Sequence, residues 1–105
     1  MNKSEITPEQ REMALYEMAV EKFGTRAQIL MAIEEMSELT KALLKYIRCV
    51  DQHQGGYEAV YYAVSEQRAD VDIMLRQLDV IFGDNADMEC EKLDHLEMLV
   101  TDGQA

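Results

Sequence analysis

Tryptophan is absent from this 105-residue chain, proline occurs once, and the two cysteines lie far apart, outside any CxxC pattern. Isolated thiols of this kind are neither a disulfide framework nor a zinc ribbon; Cys49 and Cys90 read as reduced, partly buried side chains of a cytoplasmic protein. Positive charge is scarce as well. Ten basic side chains face 21 acidic ones, for a formal charge of −11. That balance argues against a nucleic acid polymer or an anionic membrane surface as partner, since both select Lys and Arg clusters. No run approaches the roughly 18 apolar residues of a membrane span. Met1 to Glu12 lacks the apolar segment of a signal peptide. No stretch alternates as a strand does, and neither His53 nor His95 forms the ExxH pair of a ferritin-like di-iron bundle.

What remains is helical. The whole chain, 1–105, reads as one all-α domain of four helices. Thr7-Pro8-Glu9-Gln10 offers an N-cap, a proline at the first helical position and a capping-box Gln, and Gly24 ends the first helix. Thr25-Arg26-Ala27-Gln28 repeats the capping pattern. Along the second helix Ile29, Ile33, Met36, Thr40, Leu43 and Ile47 form the main stripe, widened by Leu30, Leu39 and Leu44. The polar "DQHQGG" at 51–56 is a linker. A third helix is predicted from Tyr57 to Phe82, and Asp84 or Asn85 caps a fourth running through Leu99. The third helix is apolar on two sides, which places it centrally in a bundle or at a dimer interface.

"AIEEMSELTKALLKY", residues 32–46, holds three glutamates in five positions. With about 100° of turn per residue, Glu34 falls at about 140° from Ile29, beside Lys41 and Lys45 on a solvated face. Glu38 lies at about 180°, and Glu35 at about 240°, flanked by Met31, Leu39, Ala42 and Tyr46. An ionised carboxylate on such a flank is costly unless it is paired or binds metal. On the third helix Asp70 falls between the two apolar stripes. Gln67, one turn earlier, points towards Val60, Met74 and Leu78, and Glu66 is on the more open side. If the helices pack side by side, Glu35, Glu38, Asp70 and the amide oxygen of Gln67 make a hard-oxygen site suited to Mg²⁺ or Mn²⁺. Each element also has a plainer reading: Glu34 on a solvated face, Glu35 and Asp70 in buried ion pairs, Gln67 as a core hydrogen-bonder, Lys41 and Lys45 as surface partners of Glu38.

The motif "EEMSE" at 34–38, the surrounding "AQILMAIEEMSELTKALLKYIR" and the later "ADVDIMLRQLDVIFG" resemble the MazG-like all-α nucleoside triphosphate pyrophosphohydrolases. That group is related to dimeric dUTPases and phosphoribosyl-ATP pyrophosphatases, and carries EExxE on one helix and ExxD on the next. The likeness spans roughly residues 20 to 85, and the two longer stretches also resemble phage and prophage members. The second motif departs from the pattern, because Gln67 stands where the family has glutamate. The resemblance implies a four-helix bundle completed by dimerisation, as a homodimer or homotetramer. It implies Mg²⁺-dependent hydrolysis of a nucleoside triphosphate to monophosphate and pyrophosphate. Glu35, Glu38, Asp70 and Gln67 would be the metal ligands, and Glu34 or Glu38 would orient or deprotonate the attacking water. Lys41, Lys45, Arg76 and Lys92 would be candidates for phosphate contacts. The Gln67 departure leaves a second expectation open: a catalytically impaired member that binds a nucleotide or a protein partner.

Overall fold

A computed structural model describes residues 5–53 and 55–102. Four helices make up the fold, α1 (Pro8–Phe23), α2 (Thr25–Asp51), α3 (Tyr57–Phe82) and α4 (Ala86–Asp102), with no strand among the described residues. No described helix is long and apolar enough to cross a membrane.

Local chemistry sets the boundaries. At the start of α1 the Gln10 amide donates to Thr7 Oγ1 (3.1 Å) and the Thr7 amide donates back to Gln10 Oε1 (2.9 Å). Pro8 gives up a donor that has no intrahelical partner in any case. Gly24 stops α1 at a φ of 92°, which only glycine adopts without strain. The expected second capping box does not form. Thr25 already lies inside α2, Gly24 is its N-cap, and Gln28 is buried in the core instead of reaching back. Before α4 the Ala86 amide donates to Asp84 Oδ1 (3.0 Å), and the helix runs three residues beyond Leu99.

The centre of the molecule is the α2–α3 pair. Glu35 at mid-α2 meets Asp70 at mid-α3, and Tyr46 near the end of α2 meets Tyr57 at the start of α3, so the helices are antiparallel. On α2 the inner seam is Gln28, Ala32, Glu35, Leu39, Ala42, Tyr46 and Cys49, all buried or half-buried. Their spacing alternates four and three, the rhythm of a coiled-coil contact. Val60, Ala63, Gln67, Asp70, Met74, Gln77 and Ile81 repeat that rhythm on α3. Alanines at 32, 42 and 63 let the backbones approach closely. At the link end the Tyr46 and Tyr57 hydroxyls lie 3.1 Å apart, and Cys49 Sγ lies 3.8 Å from the Gly55 carbonyl.

This seam corrects the expected core. The larger stripe of α2 faces outward: Ile33 is 55% exposed and Ile47 53%. On α3 Tyr62, Ile73, Leu75 and Phe82 are exposed, and the buried residues are Val71, Met74 and Gln77. Cys90, expected to be partly buried, is exposed, while Cys49 is buried. Helix α1 lies against α2 and α3, held by buried Tyr16, whose hydroxyl donates to Glu12 Oε1 at 2.6 Å. Helix α4 packs against none of the other three, so one chain does not close a four-helix bundle.

The reciprocal Thr7–Gln10 cap yields a direct test. Thr7→Ala should cost about 1 kcal/mol, read as a fall in melting temperature of several degrees with helix content at low temperature nearly unchanged.

Candidate carboxylate site

The inner seam of α2 passes through the angular position that Glu35 occupies. Ala32 and Leu39 flank it along the seam, one turn to either side, so its backbone is fixed on the α3-facing side. Its side chain is half-buried. Asp70 reaches it from the opposing helix and is exposed, which differs from the inward placement expected of it. The pair therefore straddles the rim of the seam: one carboxyl within, one at the solvent edge.

Removal from water raises the Glu35 carboxyl above the ordinary carboxylate range, and the negative charges of Asp70, Glu34 and Glu38 raise it further. A side-chain hydrogen bond with Asp70 acts in the same direction. Among the described residues neither Glu35 nor Asp70 forms an ion pair with lysine or arginine. Glu38 is half-buried and takes its charge partner from its own helix, Lys41 Nζ at 3.4 Å. Glu34 is exposed, as its face predicts.

Gln67, one turn before Asp70, is half-buried, and its Oε1 is enclosed without a hydrogen-bond partner. An orphaned carbonyl oxygen costs about 1–3 kcal/mol, which a donor or a cation would relieve. Gln77 presents a second orphaned Oε1 and is almost fully buried. The sequence analysis assigns Gln77 no role. Its signal was a polar residue in a seam position, the same signal that drew attention to Gln67.

The basic candidates do not converge on the carboxylates. Lys41 serves Glu38, and Lys45 is exposed. Arg76 Nε lies 3.8 Å from Glu12 Oε1 and helps attach α1 to α3. It also lines an open cavity of about 520 Å³ at the α3–α4 junction with Asp72, Asp79, Asp84 and Glu89. Lys92 is exposed on α4, away from the α2–α3 seam.

Among the described residues no three His, Cys, Asp or Glu side chains are arranged to hold a metal ion. The donor set is nevertheless of the kind Mg²⁺ uses, since that ion is held by one or two carboxylates and completed by water and phosphate oxygens. Glu35 and Asp70 supply two carboxylates in reach of each other, and Gln67 adds an unclaimed oxygen on the same helix as Asp70.

No protein-family model, curated protein or solved structure matches this chain.

The Glu35 environment predicts a pH-dependent stability. A carboxyl with a raised folded-state pKa binds its proton more tightly when folded. Its contribution is then most favourable in acid and is lost as pH climbs from the unfolded value through the folded one. Glu35→Gln should raise the melting temperature of cation-free protein by a few degrees at pH 7. That gain should vanish by about pH 4, where the unfolded carboxyl is also protonated. Melting curves across pH, with chelator present, measure this difference.

Proposed function

We propose that the chain is a MazG-like pyrophosphohydrolase that cleaves a nucleoside triphosphate to monophosphate and pyrophosphate with Mg²⁺. The observation that supports this most is the meeting of Glu35 and Asp70 without a cationic partner among the described residues, beside the orphaned oxygen of Gln67. Two acids drawn together at a helix seam cost stability, and a divalent cation with a bound triphosphate is the chemistry that offsets it.

In this reading Glu35 and Asp70 hold the ion from opposite helices, with Gln67 and Glu38 as further oxygen donors. When bound, the cation supplies charge neutralisation for the polyphosphate and acidifies water. Glu34 and Glu38 line the approach on the solvent side of α2, and one of them orients the attacking water and accepts its proton. The Glu38–Lys41 pair positions that carboxylate, and on release Lys41 becomes a phosphate contact. Lys45 lies one turn further along α2. Arg76, which faces Glu12, and Lys92, on the unpacked α4, would reach the substrate only after rearrangement.

Gln67 favours a second reading, in which the same site binds nucleotide without turning it over. An amide oxygen ligates metal without contributing charge, so the site has one anionic ligand fewer than the family's pattern.

One product analysis decides between them. Purified protein is incubated with each common ribo- and deoxyribonucleoside triphosphate and Mg²⁺, and the nucleotide products are separated. Monophosphate with pyrophosphate is the expected result, abolished in Glu35→Ala and in Asp70→Ala with folding retained. Undiminished turnover in both variants would overturn the site. Activity that emerges only in Gln67→Glu would select the binding module.

A further inference from the structure

The protein's own oxygens at the carboxylate site fall short of a full shell for a divalent cation. Glu35 and Asp70 meet across the seam, and Gln67 adds a neutral oxygen. Glu38 is half-buried, but Lys41 Nζ takes its charge at 3.4 Å. Among the described residues no three His, Cys, Asp or Glu side chains stand together to hold an ion. Mg²⁺ wants an octahedron of oxygens and gives up its waters reluctantly. Two carboxylates at a solvent rim do not displace those waters on their own. A second cation close to the first would need further bridging carboxylates to offset the repulsion between the two ions, and Gln67 contributes no charge.

An uncomplexed polyphosphate is no better placed. Glu34, Glu38 and Asp70 bear on Glu35 with like charge, and the chain as a whole carries −11. That field repels an anion that arrives without its counter-ion. Each ligand therefore lacks what the other brings.

We infer that the site takes up one divalent cation per chain, and takes it up together with a triphosphate as a single complex. This rests on the pyrophosphohydrolase reading and adds the stoichiometry and the mutual dependence of the two ligands. The Glu38–Lys41 pair supplies the coupling. A phosphate oxygen draws Lys41 away from Glu38, and the freed carboxylate becomes available to the cation. The polyphosphate thus brings oxygens of its own and releases one from the protein. Linkage makes the effect reciprocal: the factor by which the cation tightens the triphosphate equals the factor by which the triphosphate tightens the cation. A coupling of about 100-fold is expected.

Equilibrium dialysis of the full chain tests this, with Mn²⁺ as the cation and a panel of α,β-imido nucleoside triphosphates covering the common bases. Retention is measured as the excess over Glu35→Ala and Asp70→Ala proteins whose helix content is intact by circular dichroism. At sub-millimolar concentration neither Mn²⁺ alone nor any analogue alone should be retained. Together, Mn²⁺ and the preferred analogue should be retained in equal amounts, one of each per chain. Gln67→Glu, which adds a third carboxylate, should retain Mn²⁺ without an analogue. Retention of Mn²⁺ alone by the native chain, of an analogue alone, or of two Mn²⁺ per analogue overturns the inference and leaves the pyrophosphohydrolase reading standing. So does a folded Gln67→Glu protein as dependent on the analogue as the native chain. No retention of any combination overturns both. The native-chain result decides whether or not the Gln67→Glu variant folds.

Discussion

The closeness of α2 and α3 is the constraint on which the rest depends. Ala32, Ala42 and Ala63 keep the helices near enough that mid-helix side chains meet across the seam. That proximity brings Glu35 to Asp70, Tyr46 to Tyr57, and Gln67 into a position where its oxygen is cut off from water. Larger residues at the alanine positions would separate the helices and let each acid find solvent. The acid pair is thus a product of packing: small apolar contacts enforce an electrostatic arrangement that the acids would not choose.

Attachment of α1 follows from the same pair. Once α3 is fixed against α2, Arg76 points to the side on which α1 lies. There Glu12 accepts from Tyr16 at 2.6 Å and faces Arg76 Nε at 3.8 Å. The Glu12 hydrogen bond, with some loss of water around the ring, lifts the Tyr16 hydroxyl above its usual value, so it stays a donor throughout the neutral range. An acid on one helix thereby joins a tyrosine of its own helix to an arginine of another, using groups that would otherwise be ordinary surface charges.

The helix boundaries were legible because their determinants are local: Thr7 with Gln10, Pro8, Gly24 and Asp84 act within a few residues of themselves. The angular position of Glu35 was legible for the same reason, since a helix fixes it by counting. Which face is covered was not. Periodicity shows that α2 has an apolar side, but two heptad patterns run along it one residue apart, and hydropathy favours the one with isoleucine and leucine. The helix–helix contact inside the chain uses the other, built on Ala32, Ala42 and Cys49, because fit at close range matters more there than side-chain size. Gln28 misled in the same manner. Its position matches a capping box, but its side chain is worth more as seam filling than as a terminal acceptor. Asp70 holds a seam position on α3 by the same count, yet it is exposed at the solvent rim.

The tyrosines bear on what light can see of this molecule. With no tryptophan, the five tyrosines dominate its near-ultraviolet absorption. Tyr46, Tyr57 and Tyr61 form a ring ladder at the link end of the α2–α3 pair, with centroids 5.6 and 6.1 Å apart, and Tyr16 reports the docking of α1. No aromatic residue lies within a turn of Glu35 or Asp70 in sequence. Optical signals from the native chain therefore follow the hinge of the hairpin and its neighbouring helix, and are nearly blind to events at the carboxylates.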